Sequence, residues 1–268
     1  MRGVATPRAT CFDPTTMPST FFTRARANAV HLLTASGVVA AFLAVAELFD
    51  NAPDERVVFA WLAVAVVIDA ADGPLARAWH VKRFASHIDG RTIDDIVDYL
   101  TFTFVPLLLM WRMGWVPFAP GLPGAAWIVP ALMASLLGFA NVGAKDEAAG
   151  YFRGFPSYWN IAAFYAGLAF HGLGETGQWL NGVVLLALAA LTVSPVRFLY
   201  PNLAPRPWKL PVLLGAAAWL AGMLGMLLVY RRVPGWIVGV SLIYPAFYVV
   251  LSILLDPQRH ARAGDKSP

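Results

Sequence analysis

Long apolar segments separated by short polar breaks dominate the pattern of hydrophobic positions along this chain. A helix needs about 20 predominantly apolar residues to cross a bilayer, and eight segments reach or approach that length. Glycine and proline, which favour turns, recur in the breaks between them. The pattern predicts an all-α, polytopic integral membrane protein with about eight transmembrane helices, of which the fifth is short. The segments span residues 29–48, 57–79, 92–113, 124–141, 158–173, 179–198, 210–230 and 236–255.

The amino-acid composition also indicates an integral membrane protein. Hydrophobic residues make up 58% of the chain and charged residues 13%, and the mean hydropathy of +0.60 is too high for a soluble domain. The single Cys11 excludes a disulfide framework and a thiolate metal site. Residues 1–27 are basic and lack an apolar core, so we interpret them as a cytoplasmic tail rather than a signal peptide. We therefore predict one membrane domain over residues 28–256 and a second cytoplasmic tail over residues 257–268.

Lysine and arginine concentrate in alternate breaks, which predicts the orientation of the helices. With the N-terminus inside, the inner breaks hold most of the basic residues and the outer breaks hold mainly acids. An N-in, C-in topology follows, and it puts the inner ends of the second and third segments side by side. The net charge of +4 is explained in this way, and no nucleic-acid-binding motif is present. The exceptions on the outer side are Arg56, Arg112, Arg231 and Arg232.

Four aspartates stand where the second and third segments meet the inner surface. Asp69 and Asp72 are three residues apart, and Asp94 and Asp98 are four apart, so each pair shares one helix face. An ionised side chain at membrane depth costs roughly 2.5–3.5 kcal/mol even on the lenient insertion scale, so acids there are functional by default. A pair of divalent cations is the simplest compensating charge, and ligands that are all oxygen favour Mg²⁺, Mn²⁺ or Ca²⁺. The alternative is a structural ion-pair network or an ion pathway.

Small residues continue both acidic faces. Gly73 and Ala76 lie on the face of the first pair and Gly90 on that of the second, which leaves room for a flat or bulky ligand. Close helix packing also explains glycines at such positions. Arg77 ends the first face, where a guanidinium can bind a phosphate through two hydrogen bonds. Two metal ions and an arginine form a clamp for displacement at phosphorus, so the pattern indicates phosphoryl-group chemistry.

The arrangement D-x-x-D-G-x-x-A-R followed by G-x-x-x-D-x-x-x-D resembles the motif of the CDP-alcohol phosphatidyltransferases, and all eight specified positions are occupied. The gap of twelve residues between Arg77 and Gly90 resembles the spacing in the bacterial phosphatidylcholine synthases of that family. Four further stretches are similar to the same enzymes, and the resemblance covers most of the chain apart from its tails. They begin at His31, Asp98, Gly154 and Pro195.

This resemblance implies an enzyme of the bacterial inner membrane that joins choline to CDP-diacylglycerol and releases CMP, with its active site facing the cytoplasm. It also implies a homodimer that contacts membrane lipids. Two Mn²⁺ or Mg²⁺ ions would be bound by Asp69, Asp72, Asp94 and Asp98, and Asp98 would also deprotonate the choline hydroxyl. By the same resemblance, CDP-diacylglycerol would be bound by Asp69, Gly73, Ala76, Arg77 and Gly90.

A quaternary ammonium carries no N–H group, so aromatic faces and a carboxylate must bind it. The inner break after the fourth segment supplies both, and Tyr99 lies beside the proposed base. The candidates for choline binding are Glu147, Tyr151, Tyr158, Trp159 and Tyr99, and the candidates for lipid or nucleotide phosphate are Lys145, Arg153 and Arg197. Tyr158 and Trp159 fit an aromatic belt at the membrane surface equally well, and Tyr200 is interpreted as a belt residue.

Two other functions fit parts of this pattern. A related enzyme with serine, glycerol phosphate or inositol phosphate as acceptor would share the motif, although a phosphorylated acceptor favours a dense basic pocket over aromatics. A transporter or cation channel would distribute its acids through the depth of the membrane. Here the acids cluster at one surface, and no predicted segment after the third contains one. The sequence therefore favours phosphatidyl transfer to choline.

Overall fold

The structure is a computed structural model that describes residues 21–146 and 149–256. It is mostly helical, as the hydropathy pattern predicts. The candidate choline ligand Glu147 and most of the two predicted tails lie outside the described residues. The helices are α1 (Phe21–Leu48), α2 (Glu55–Ala78), α3 (Val81–Phe84), α4 (Gly90–Asp98), α5 (Val105–Arg112), α6 (Ala125–Ala140), α7 (Trp159–Leu173), α8 (Glu175–Thr192), α9 (Lys209–Leu228), α10 (Gly235–Ser241) and α11 (Ile243–Leu254).

Each predicted apolar segment is mainly helical. The third is divided into α4, a π-helical segment Tyr99–Phe104 and α5, and the last is divided into α10 and α11. Helix α1 begins at Phe21, before the predicted start of the first segment, so part of the predicted N-terminal tail is helical.

Four helical stretches of the described chain are long and apolar enough to cross a membrane. These are α1, α2, α9 and the continuous stretch from α10 to α11. Most residues of α9 and of α10–α11 are accessible on the outside of the bundle, which suits helices that face lipid. The protein is thus an α-helical membrane protein, while the predicted number of eight spans and the N-in, C-in orientation stay predictions.

The helices pack around an aromatic core. The Phe59 ring of α2 stacks on Trp115 at a centroid distance of 6.4 Å and contacts Phe164 of α7 edge-on at 5.4 Å. Asn181 of α8 donates to the carbonyl oxygens of Trp115 and Ala166, at 2.8 and 2.9 Å. The Trp115 carbonyl lies outside any helix and needs such a partner, so Asn181 joins α7 and α8 to the loop after α5.

A small antiparallel sheet interrupts the helical pattern, and the hydropathy analysis missed it. Its strands are β1 (Lys145–Asp146), β2 (Tyr151–Arg153) and β3 (Arg197–Leu199), in the order β1-β2-β3. Tyr151 pairs with Leu199 and Arg153 with Arg197. The sixth predicted segment ends inside β3, because strands of two or three residues are too short for a periodic signal.

A buried arginine fastens this sheet to the end of α11. Arg197 forms ion pairs with Asp146 at 3.1 Å and with Asp256 at 3.3 Å, and its guanidinium lies 4.8 Å from the centre of the Tyr151 ring. The Tyr151 hydroxyl in turn donates to the carbonyl oxygen of Leu255 at 2.7 Å. A buried charge must be paired and hydrogen-bonded, so these contacts hold the sheet in place.

Candidate functional site

Three of the four motif aspartates meet where α2 and α4 come together. Carboxylate oxygens of Asp69, Asp94 and Asp98 all lie within 4.8 Å of one another. Asp94 and Asp98 are half-buried on α4. Three carboxylates at this separation repel one another unless a cation or protons lie between them. Their oxygen ligands fit a hard divalent metal ion, so this group could hold one.

Asp72 is not in that group, although the sequence motif includes it among the four metal ligands. It is buried on α2, and its Oδ2 accepts a hydrogen bond of 2.7 Å from the Oγ1 of Thr34 on α1. A hydrogen bond from a neighbouring side chain fixes the orientation of a carboxylate, as is common around metal sites. Thr34 thus sets the direction in which Asp72 presents its second oxygen.

One face of α1 packs against the helices that carry the motif. Thr34 contacts Asp72, and His31 lies one turn earlier against Gly90, where a methyl group would stand 2.7 Å from the Cε1 atom of His31. One turn later, a methyl group at Gly37 would stand 2.5 Å from Val97. The stretch from His31 to Gly37 therefore brings α1 directly against α2 and α4.

An open cleft of about 870 Å³ adjoins the acids, between α1, α2, α4 and the loop that carries α3. Its arginine and lysine side chains outnumber its aspartates by four to three, and an excess of positive charge favours an anionic ligand. Motif residues on its wall are Asp72, Gly73, Ala76, Arg77, Gly90 and Asp94, and its basic side chains are His31, Arg77, His80, Lys82, Arg83, His87 and Arg91. The predicted nucleotide ligands thus share one cleft, except for Asp69 in the adjacent acidic group.

Two aspartates close to the motif have structural roles. Asp89 caps α4, because its carboxylate accepts hydrogen bonds from the side chain of Thr92 at 2.7 Å and from the backbone N–H of Arg91 at 3.1 Å. The hydrogen bonds from Thr92 and Arg91 lower the pKa of Asp89. Asp95 pairs with Arg91 at 3.6 Å along the same helix. Both contacts stabilise the start of the helix that carries Asp94 and Asp98.

The helix after Asp98 changes its hydrogen-bonding pattern at once. The π-helical segment Tyr99–Phe104 follows directly, and such segments occur frequently at functional sites. Tyr99 lies on this segment, but its hydroxyl donates to the carbonyl oxygen of Leu132 and its ring contacts Phe139 at 5.9 Å. Its position in the sequence, beside Asp98, therefore does not bring its ring into the acidic group.

The four described candidates for choline binding occupy different environments. Trp159 is fully buried and donates from Nε1 to Ser135 at 2.6 Å, so it packs inside the bundle. Tyr151 is buried beneath Arg197, which occupies one face of its ring. Tyr158 is 41% exposed, and its ring lies 6.3 Å from that of Phe102, four residues after Asp98. Of these four, only Tyr158 is exposed.

The candidates for phosphate binding also include both exposed and buried side chains. Arg153 is exposed at the end of β2 and is free to reach solvent or a lipid surface. Arg197 is 4% exposed and is paired with Asp146 and Asp256, so its guanidinium holds the sheet instead of facing the cleft. The sequence analysis did not identify the basic residues of the α3 loop as candidate ligands. The Lys82-Arg83 pair inside the gap of twelve residues could have indicated them.

Comparison with known proteins adds an independent result. No family model matches the chain. It is 38% identical to a phosphatidylcholine synthase from Pseudomonas aeruginosa over 188 residues, which are 70% of this chain and 74% of that protein. It is 32% identical to a phosphatidylcholine synthase from Rhizobium meliloti over 234 residues, which are 85% of this chain and 90% of that protein. With the phosphatidylcholine synthase from Brucella melitensis it shares 30% identity over 86% of its own length and 80% of the other. The chain therefore belongs to the phosphatidylcholine synthase family.

Proposed function

We propose that this protein transfers the phosphatidyl group of CDP-diacylglycerol to choline, giving phosphatidylcholine and CMP. The observation that carries the proposal is the meeting of Asp69, Asp94 and Asp98 beside a basic cleft lined by the rest of the motif. The relatives named phosphatidylcholine synthase support the acceptor, since the motif by itself fits any alcohol.

Asp98 is the proposed base. It would take the proton of the choline hydroxyl as that oxygen attacks the phosphorus next to the diacylglycerol, and the bond from this phosphorus to CMP would break. A carboxylate can act in this way when it lies within hydrogen-bond reach of the reacting hydroxyl. Asp98 lies in the acidic group and precedes the π-helical segment, which supports this role.

The cleft would bind the nucleotide. Arg77 and the basic α3 loop are proposed to bind the phosphates, while Gly73, Ala76 and Gly90 leave space for the cytidine. Two Mn²⁺ or Mg²⁺ ions held by Asp69, Asp72, Asp94 and Asp98 would neutralise charge on the phosphate oxygens and on the departing CMP. The hydrogen bond from Thr34 would keep Asp72 directed towards this site.

We further propose a homodimer in the inner membrane with the cleft open to the cytoplasm, eight spans and both termini inside. The motif and the sheet lie at the same end of the bundle, because the ring of Tyr158, five residues after β2, lies 6.3 Å from that of Phe102, four residues after Asp98. At the other end, Arg56 pairs with Asp54 and Arg231 with Glu55, and Arg112 donates to the carbonyl oxygen of Leu48. Three of the basic residues that are exceptions to the orientation rule thus have local structural partners, which supports the proposed orientation.

The decisive experiment supplies purified protein in liposomes with CDP-diacylglycerol, Mn²⁺ and labelled choline, with labelled serine in a parallel reaction. We expect labelled phosphatidylcholine and an equal amount of CMP, both abolished by EDTA and by Asp98→Asn. Asp95→Asn is the matched control, because Asp95 lies on the same helix and pairs with Arg91. Product from serine instead of choline would overturn the acceptor, and no lipid product from either alcohol would overturn the proposed reaction.

A further inference from the structure

The α3 loop, residues 79–89, carries basic side chains of the cleft but has little regular structure of its own. Helix α3 is a single turn of four residues, and isolated helices shorter than about 12 residues are marginal in water. His80, just before it, has a φ of 50°, a left-handed conformation that persists only where the surrounding structure imposes it. Contacts with the rest of the protein must therefore hold the loop and set the positions of its exposed Lys82 and Arg83.

The N-terminal turns of α1 supply the apolar part of this support. One buried apolar cluster joins the two elements, and its members are Val81 and Ala85 of the loop and Ala27 and Val30 of α1. At the start of the loop, the guanidinium of Arg26 lies 4.9 Å from the centre of the Trp79 ring. The loop thus packs along α1 instead of extending into solvent.

His31 adds a polar contact to the same interface. It is 6% exposed, and its Nε2 lies 3.4 Å from the carbonyl oxygen of Ala85, just after α3. A carbonyl oxygen can only accept a hydrogen bond, so Nε2 carries the proton and donates it. This bond ties the end of α3 to α1.

The other side of the same ring contacts the start of α4. A methyl group at Gly90 would stand 2.7 Å from Cε1 and 3.0 Å from Nδ1 of His31, so the ring fills the space that a side chain there would need. His31 also lines the cleft. Its ring is thus the contact through which α1, the α3 loop and α4 meet.

We infer that His31 is a positioning residue, which holds the basic α3 loop in the conformation that binds the diphosphate of CDP-diacylglycerol. This inference rests on the proposed function, in which the loop binds the phosphates. A loop that is ordered before the substrate arrives loses little conformational entropy on binding. The role concerns substrate affinity, because the acidic group consists of Asp69, Asp94 and Asp98 on α2 and α4 and stays in place when only the loop is released.

His31→Met and His31→Gln test this role as a matched pair. Their side chains have nearly the same size and shape, but only glutamine has an N–H group that can reach the Ala85 carbonyl. We expect the methionine variant to raise the KM for CDP-diacylglycerol by about three- to tenfold, the range for loss of one net hydrogen bond. Its kcat and its KM for choline should stay unchanged, and glutamine should restore the KM for CDP-diacylglycerol. Asn28→Met is the control, since Asn28 bonds to the carbonyl oxygen of Arg24 in its own helix.

Limited trypsin digestion in detergent measures the loop directly, without any reaction. Trypsin cleaves after Lys82 and Arg83 when the loop opens locally, and mass spectrometry identifies the fragments. We expect cleavage at these two positions to be faster in the methionine variant than in the wild type and the glutamine variant. Cleavage after Arg153, which is exposed at the end of β2, should not change. Equal rates after Lys82 and Arg83 in all three proteins would overturn the inference.

The outcomes separate this inference from the proposed function. Wild-type protein that makes no phosphatidylcholine contradicts the proposed function and with it the phosphate role of the loop, whereas the digestion still decides whether His31 holds the loop. Active wild-type protein whose methionine variant keeps the same KM for CDP-diacylglycerol rejects the positioning role and leaves the proposed function standing. An equal rise in KM in the methionine and glutamine variants also rejects it, because the hydrogen bond would then not be responsible. If His31→Met does not fold, Val81→Ala loosens the same loop from its apolar side, and the same rise in KM is expected.

Discussion

Thr34 is the residue on which the orientation of Asp72 depends. Its hydroxyl lies 2.7 Å from Oδ2 of Asp72 and 3.2 Å from the carbonyl oxygen of Val30, and its single proton is directed to the closer, charged acceptor. Hydrogen bonds to charged groups contribute about 1.5–3 kcal/mol. A side chain on α1, outside the aspartate motif, thus shapes the candidate metal site.

Thr34→Val keeps the shape of the side chain and removes this donor. We expect Mn²⁺ affinity, measured by electron paramagnetic resonance, to fall by about 10–100-fold, as is usual when a partner of a metal ligand is lost. Phosphatidyl transfer is expected to fall with it at subsaturating metal. Thr34→Ser is the control and should retain both, because serine keeps the hydroxyl. Equal Mn²⁺ affinity in the valine and serine variants would contradict this role.

Gly73 and Gly90 both belong to the motif, but the space around them differs. A methyl group at Gly73 would lie 3.5 Å from the nearest Arg77 nitrogen, which is ordinary contact, whereas one at Gly90 would meet His31 at 2.7 Å. Gly73→Ala should therefore leave the melting temperature unchanged and raise the KM for CDP-diacylglycerol. Gly90→Ala should also destabilise the protein, by about 1–3 kcal/mol, as is typical of overpacking. Equal melting temperatures for the two variants would count against this difference.

Among the helices, α2 joins two polar clusters at its opposite ends. Its last turns carry Asp69 and Asp72, and its first residue is Glu55, which is fully buried. The Glu55 carboxylate accepts from Nε of Arg231 at 2.7 Å and contacts Nε2 of His171 at 3.1 Å. This cluster connects α2 with α7 and with the turn after α9, on the far side of the molecule from the acids.

Glu55→Gln tests the contribution of this cluster. The substitution removes the charge on the buried side of the pair, while the Arg231 side chain is 57% exposed and stays solvated. Hydrogen bonds to a charged group contribute about 1.5–3 kcal/mol. We expect a clear drop in the melting temperature in detergent, with transfer activity per folded molecule preserved at low temperature. Arg56→Gln is the control at the same end of α2, because its pair with Asp54 is exposed and should contribute little to stability. Equal melting temperatures in the two variants would mean that the cluster adds little.

For the molecule as a whole, the open question is how the bundle lies in the membrane. Phe118 and Val142 flank α6 and are 80% and 92% exposed, and the proposed topology puts them on opposite sides of the bilayer. After Cys11→Ser, we expect Phe118→Cys to react with a membrane-impermeant maleimide on intact cells. Val142→Cys should react only after lysis. The reverse pattern would invert the topology, and reaction of both on intact cells would mean that α6 does not cross.

Much of the fold was predictable because hydrophobic segments report directly on helices in lipid. A spanning helix satisfies its backbone internally, so every apolar segment predicted from the sequence is mainly helical. The aspartate motif was equally readable, since residues three or four apart on a helix share a face. The adjacency of Asp69, Asp94 and Asp98 followed from the two helices that carry them.

Contacts between segments far apart in the chain could be decided only by the tertiary structure. Thr34 precedes Asp72 by 38 residues, and no local periodicity links them. From the sequence, Tyr200 was predicted to be an aromatic belt residue, and Tyr151, Trp159 and Arg197 were predicted to be ligands. These predictions depended on residue type alone, because a sequence does not show which side chains are buried. Folding left Tyr200 partly accessible and buried the other three. The sequence by itself thus determined the helices and the acidic motif, while packing determined which aromatic and basic side chains could face it.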